Sequence, residues 1–214
     1  SFQPVYSSTS SLPGGAKPQE GTQYEVGVKY QPAGMDAMFT AALFDLTQEN
    51  VSQWNADYSV HRQVGEINSR GVELEGKMSL DDRTNMTLAY TYLDAEIKED
   101  VITTNIGNRP EMVPEHTASA WLDHTIPEHG VFGDLTFGGG LRFVGSRYNN
   151  NANASLLGSH TVVDAMVNYM VTDNVSVAIN ATNLFDREYV SSNTFGSRFY
   201  GDGRTVLATL KYSW

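Results

Sequence analysis

The chain has 214 residues, a formal charge of −11, no cysteine, 19 glycines and 11 tyrosines. Its length suits one all-β domain or two smaller ones; the lack of cysteine excludes a disulfide scaffold and a thiolate metal site, and the acidic balance argues against nucleic-acid binding, which needs a basic stripe. No window approaches the roughly 18 uninterrupted apolar residues of a membrane helix, which leaves open a membrane barrel, whose strands are only half apolar.

The opening stretch "SFQPVYSSTSSLPGGAKPQEG" reads as a loop. It starts without methionine and carries no secretory leader, so the chain is expected to be a C-terminal piece of a longer protein. Period-two alternation then sets in. Thr22, Tyr24, Val26, Val28 and Tyr30 share one face of the first strand, with Gln23, Glu25, Lys29 and Gln31 opposite. "AMFTAALFDL" follows with less clean alternation, then "RGVELEGKMSL", with Val72, Leu74, Met78 and Leu80 opposite Glu73, Glu75 and Lys77. "MTLAYTYL" aligns Met86, Leu88, Tyr90 and Tyr92, and "HTASAWLDHT" is again less regular. "DLTFGGGLRFVG" sets Leu135, Phe137, Leu141 and Phe143 against Thr136, Arg142 and two glycines. "VVDAMVNYMV", "VSVAIN" and the terminal "RTVLATLKYSW" complete about nine strands, the last placing Val206, Ala208, Leu210, Tyr212 and Trp214 on one face. Each is near the ten residues that a tilted membrane strand requires.

The links alternate in length. Short ones fall at "PAGMD", "DDRTN", "EHGVFG" and "TDN"; long ones at "QENVSQWNADYSVHRQVGEINS", "EIKEDVITTNIGNRPEMVPE", "GSRYNNNANASLLGSH" and "FDREYVSSNTFGSRFYGDG". Alternation alone suits a soluble sandwich or lipocalin-like barrel equally well. Short turns at one end with long loops at the other, and aromatic rings near strand ends, favour an antiparallel transmembrane β-barrel.

Four stretches, "GTQYEVGVKY", "SRGVELEGKMSL", "VPEHTASAWLDHT" and the final "TVVDAMVNYMV…NATNLFDREYVSS…FYGDGRTVLATLKYSW", resemble TonB-dependent outer-membrane siderophore receptors, most closely the hydroxamate branch. The most specific signal is Asn183, Leu184, Phe185 and Asp186 with Tyr189, then Gly201, Arg204 and the terminal Trp214. The resemblance implies an all-β fold in which this chain forms about nine C-terminal strands of a 22-stranded plugged barrel, the plug and N-terminal strands lying outside it. It implies TonB-driven uptake of a ferric siderophore, with the TonB-ExbB-ExbD complex acting through the plug. It also implies outer-membrane lipid and lipopolysaccharide around the barrel, and an assembly machinery that reads the C-terminal strand. A final aromatic is part of that strand's signal, which accounts for Trp214.

No catalytic constellation stands out. His61, His116, His124, His129 and His160 have no metal-ligand spacing, and the same-face carboxylates Asp94 and Glu96 carry no mark of an acid–base pair. No cofactor is expected, because a ferric siderophore brings its own iron ligands. What remains is a concave site with aromatic faces and a few donors. The loop aromatics Trp54, Tyr58, Tyr148, Phe195, Phe199 and Tyr200 are the candidate ligand contacts. Arg204 and Asp186 are expected to organise the barrel wall, and Glu73, Glu75, Lys77, Arg142 and Asp164 to be paired with a plug across the lumen. Arg62, Arg109, Arg147, Arg187 and Arg198 are spread along the long links among many carboxylates, which favours a neutral or cationic chelate over a trianionic tris-catecholate. Two other readings stay open here: a passive porin-like channel, and an outer-membrane barrel enzyme with a catalytic group at the loop rim.

Overall fold

The computed structural model describes residues 18–54, 61–128, 133–194 and 197–214. Nine strands pair antiparallel into one sheet: β1 (Glu20–Tyr30), β2 (Ala37–Trp54), β3 (His61–Asp81), β4 (Thr84–Glu99), β5 (His116–Ile126), β6 (Leu135–Val144), β9 (His160–Thr172), β10 (Val175–Thr182) and β13 (Thr205–Tyr212). Each pairs with its neighbour in the chain, apart from the skips over two small hairpins set inside the long links. These are β7 (Arg147–Tyr148) with β8 (Leu156–Leu157), and β11 (Val190–Thr194) with β12 (Ser197–Tyr200). The sheet is an open arc of a barrel, with β1 and β13 at its edges.

The register puts the apolar face in line from edge to edge. Val26 lies opposite Leu43, Leu43 opposite Val72 and Val72 opposite Tyr92. Further on, Leu88 meets Ala120, Ala120 meets Leu141, Leu141 meets Val163, and Val167 meets Ile179, which meets Ala208. Leu43, Leu74, Leu122, Phe137, Leu141 and Ile179 are all exposed on this face, the reverse of a soluble sandwich. Aromatic rings close the band at both ends. On the loop side, Tyr90 and Tyr92 flank His116, with the Tyr90 hydroxyl 2.9 Å from Nδ1 of His116. On the turn side, His124 packs on Phe137 and shares a 2.8 Å hydrogen bond with the Thr84 hydroxyl. From His116 to His124 on β5 is about 26 Å along the strand, or about 20 Å of depth at the usual tilt, a fit to an apolar band about 25 Å tall.

The strands β2 and β3 run for 18 and 21 residues, about twice what the bilayer needs. The first and longest link expected from the sequence is therefore mostly strand that stands above the membrane. There the outward face turns polar: Arg70 bonds Asp94 at 3.0 Å, Asn68 donates to Asp45 at 2.7 Å, and Glu96 pairs with Lys98 at 2.7 Å. Asp94 and Glu96 are thus each matched to a cation rather than to one another.

The opposite face lines the lumen. Glycines there make room for rings: an added Cβ at Gly138 would stand 2.8 Å from Trp121 Cζ2, and one at Gly140 2.6 Å from Trp121 Cε3. Phe44 lies in the same way over Gly71, 2.8 Å from a Cβ there. Arg142 and Asp164 form a two-pronged ion pair within the wall, at 2.7 and 3.2 Å. Glu73, Glu75 and Lys77, by contrast, form no ion pair among the described residues.

The two faces differ in what they tolerate. In the intact barrel, Ala120→Arg, at mid-band on the lipid face, should cost about 2–4 kcal/mol, whereas Ser119→Arg, one residue away and lumenal, should cost less than about 1 kcal/mol. Urea titration of the lipid-embedded protein measures both, and equal losses would refute the assignment of faces.

Candidate functional site

The long links converge above the loop end of the sheet, held mainly by side chains that bond to backbone. Asp100 starts the link 100–115: its carboxylate accepts from the Ile102 N–H (2.7 Å) and from Asn105 Nδ2 (3.0 Å), fixing a short 3-10 turn at Thr103–Asn105. Gly107, at φ +88°, then lets its N–H return to the Ile97 carbonyl, and Ile97 beneath is fully buried.

The asparagine run of the next link docks onto this turn. Asn153, in the left-handed region at φ 53°, accepts from the Arg109 N–H (3.0 Å) and donates to the Arg109 carbonyl (2.8 Å). Asn151 accepts from the Glu111 N–H (2.8 Å), and Asn108 donates to the Asn151 carbonyl (3.0 Å). Asparagine tolerates positive φ and carries both a donor and an acceptor, so it can replace a missing β-ladder partner. Arg109 also pairs with Glu115 at 2.6 Å, which holds the Glu115 carboxyl below its ordinary range. A depressed carboxylate contributes stability above its unfolded pKa and loses it as pH falls through the folded one. The part of the loop's protection that depends on Glu115 should therefore fade below about pH 4.3. Glu115→Gln should remove that pH dependence, with a loss under about 1 kcal/mol because the pair is partly exposed, as read by proteolysis of 100–115 across a pH series.

The last link, 183–204, is closed at its base by the motif singled out in the sequence. Asn183, at φ 49° and buried, donates to the carbonyls of Arg187 (2.9 Å) and Asp202 (3.0 Å) and accepts from the Arg187 N–H (2.8 Å). Its own N–H goes to Asp164 (2.9 Å), and the Leu184 N–H to the Val163 carbonyl (2.7 Å), so the turn is bolted to β9. Asp186, at φ 54°, accepts from the Arg204 N–H (2.7 Å), and the Arg204 side chain reaches the Leu184 carbonyl (3.4 Å). Tyr189 stacks on His160 at 4.2 Å and lies over Gly201, where a Cβ would collide with its ring. Phe185 is 74% exposed and takes no part in the clasp. Asn183→Ala removes three hydrogen bonds to backbone groups of Arg187 and Asp202 and leaves a left-handed alanine, an expected loss of about 2–4 kcal/mol in the loop. Protease cleavage within 183–204 should rise while the barrel stays folded, and an unchanged cleavage rate would count against the clasp.

The candidate ligand contacts are placed unevenly. Tyr58 and Phe195 lie outside the described residues, as does the side chain of Trp54 at the end of β2. Tyr148 is half-buried on β7, its carbonyl accepting from the Met112 N–H at 2.8 Å. Phe199 and Tyr200 are exposed neighbours on β12, opposite Ser192 and Val190, and strand geometry turns them to opposite faces of the hairpin. They cannot form one aromatic wall. Trp214 is fully exposed at the turn end of the sheet, 6.4 Å from the Tyr212 ring. The histidines His116, His124 and His160 sit in strands, not in the links. Among the described residues no group of three or more His, Asp or Glu could hold a metal ion.

Sequence spacing missed one grouping. Arg142 on β6, Arg147 on β7 and Arg187 after the Asn183 turn are all electrostatic neighbours of His160. Arg147 is 4% exposed and donates to the Val190 carbonyl at 2.5 Å, joining the third long link to the fourth. Two of the five long-link arginines, Arg147 and Arg187, thus share a neighbour that their separation along the chain does not suggest.

A lipid-facing apolar band, a lumenal face of polar groups and glycine-seated rings, and a cap of interlocked long loops define an outer-membrane β-barrel. The sequence pattern described as "TonB dependent receptor-like, beta-barrel" matches residues 1–184, and the chain belongs to that family. It is 44% identical, over 91% of its length, to the ferrichrome outer membrane transporter/phage receptor of Escherichia coli strain K12, covering 26% of that protein. It is 32% identical over 92% of its length to the ferrioxamine B receptor of Salmonella typhimurium strain SL1344, covering 29% of it. The ferric yersiniabactin uptake receptor of Yersinia pestis superposes with a TM-score of 0.79 at 22% identity, over 91% of this chain and 30% of its own. The chain thus spans under a third of each relative, and its place is the outer membrane of a Gram-negative bacterium.

Proposed function

We propose that this chain is the C-terminal, nine-stranded arc of a 22-stranded plugged receptor that binds a ferric siderophore, of hydroxamate type, and imports it with TonB-derived energy. The observation that carries the reading is the 44% identity to a ferrichrome transporter over 91% of the chain, joined by the ferrioxamine B receptor at 32%. The spread of arginine along the long links carries little weight, since two of the five, Arg147 and Arg187, both neighbour His160; the branch rests on the relatives.

The mechanism is binding and gated transport without covalent chemistry. The interlocked loops and upper lumen hold the chelate, with Tyr148 and one ring of the Phe199–Tyr200 pair as contacts. Trp54, Tyr58 and Phe195 stay candidates on the same grounds. Lumenal Glu73, Glu75 and Lys77 are left to meet the plug, through which the TonB-ExbB-ExbD complex acts. The clasp of Asn183, Leu184, Asp186, Tyr189, Gly201 and Arg204 shapes the last loop rather than touching the chelate. Lipid and lipopolysaccharide surround the apolar band, and the assembly machinery reads β13 with Trp214. Iron arrives already chelated, so the protein itself needs no cofactor.

Expression of the intact protein in a receptor-deficient strain should restore uptake of iron-labelled ferrichrome or ferrioxamine B only when TonB is present. Uptake without TonB would turn the reading to a passive channel. Because Phe199 and Tyr200 face opposite ways, alanine at one should weaken binding about 5- to 20-fold, in line with a buried aromatic contact, and at the other less than twofold. Equal effects would remove the hairpin from the binding site.

A further inference from the structure

The lumenal face of the sheet changes character around the arc. On β3 it carries Glu73, Glu75 and Lys77, all exposed, and none of the four ion pairs among the described residues includes them. The adjoining strands offer them no counter-charge. Their opposite numbers are Ala42, Thr40 and Met38 on β2 and Thr91, Ala89 and Thr87 on β4, all neutral. At the turn end of the same three strands is a hollow of about 370 Å³, lined in part by the lumenal Met38, Lys77 and Thr87. This sector combines unmatched charge with a concave seat.

Further round the arc, β6, β9 and β10 present a different surface. Lumenal Thr136 and Gly138 stand opposite Asn168 and Met166, which stand opposite Ala178 and Asn180. Arg142 and Asp164 are the ionic groups of this sector, and they neutralise one another at 2.7 and 3.2 Å. The large ring beside it, Trp121 of β5, packs on Gly138 and Gly140 and so lies over the neighbouring strand. The sector is polar and built largely of short side chains, with its charges matched inside the wall.

The two sectors differ in what it costs to uncover them. Pulling an enclosed charge away from its partner is expensive, because each ion is left unpaired. Hydroxyl and amide groups exchange a protein partner for water at little cost, and they hold a passing solute loosely enough to release it. We infer that the plug is gripped on the β3 side, where charged groups of its own meet Glu73, Glu75 and Lys77, and that the path for the chelate opens along β6, β9 and β10. The inference rests on the plugged-receptor reading above and adds which part of this wall stays closed.

The arc contains no cysteine, so single cysteines placed in it report on one position each. The test uses the intact receptor in outer membranes, with any cysteine outside the arc replaced by serine. Thr87→Cys, opposite Lys77, and Asn180→Cys, opposite Met166, are each reacted with a water-soluble maleimide. Asn180→Cys should react at least about 10-fold faster, the factor expected from one enclosed ion pair. Its rate should rise again when ferrichrome and TonB are both supplied, while Thr87→Cys stays slow. Combining Glu73→Gln, Glu75→Gln and Lys77→Gln should bring Thr87→Cys up to the rate of Asn180→Cys. Equal rates in the otherwise unchanged receptor, or a TonB-dependent rise at Thr87→Cys alone, would overturn the inference. If Thr87→Cys itself loosens the plug, Ala89→Cys, opposite Glu75, makes the same comparison. Uptake of labelled iron is followed in the same cells. Its absence with the difference in rates intact would sink the transport reading and leave the grip; uptake with equal rates would do the reverse.

Discussion

Inside hydrocarbon a backbone N–H or carbonyl without a partner costs several kcal/mol, and there is no water to relieve it. Everything else in this chain follows from that requirement. It explains why the spanning segments are strands in one unbroken ladder, and why their pairing cannot slip. A shift of one residue would keep the ladder but carry Glu73, Glu75 and Lys77 to the lipid face and bring Val72 and Leu74 into the lumen. The ladder is thereby demanded by the hydrogen bonds, and its register by the solvent on each side of it.

Above the membrane the same need is met by other means. Beyond the raised β2–β3 ladder, the described parts of the long links pair only as two short hairpins, and side-chain amides take the place of a ladder. Asn153 and Asn183 both sit in the left-handed region and both bond to a backbone donor and acceptor, Asn153 at Arg109 in the preceding link and Asn183 at Arg187 four residues on. The result is a cap of irregular backbone with partners for its turns, joined to the neighbouring loop by Arg147 and to the wall by the Asp164–Asn183 bond.

Much of the sheet was legible because a membrane strand obeys two constraints of period two, and both leave their mark on residue type. The clean strands, β1 and β9, could be read directly. The less regular β2 and β5 were legible as strands but not in their alternation, for a reason that the pairing supplies: Phe44 and Trp121 are lumenal, and each lies over glycine on the next strand, so a large apolar residue stands where a polar one is expected. The height of β2 and β3 was hidden because strands above the bilayer no longer need an apolar face. The site was less legible than the fold. The Asn183 motif marked its own position, but the meeting of Arg142, Arg147 and Arg187 depends on how hairpins from different links fold back, which linear spacing does not encode.

The glycine seat of Trp121 has a spectroscopic consequence. Its indole packs on Gly138 and Gly140 of the lumenal wall, half-buried, while Trp214 stands fully exposed at the turn end of the sheet. The two chromophores therefore see different solvents. Anything that fills the barrel interior changes the polarity around the first and leaves the second at the lipid–water boundary, so once the third tryptophan, Trp54, is replaced, the emission wavelength of this arc is a gauge of whether its interior is wet.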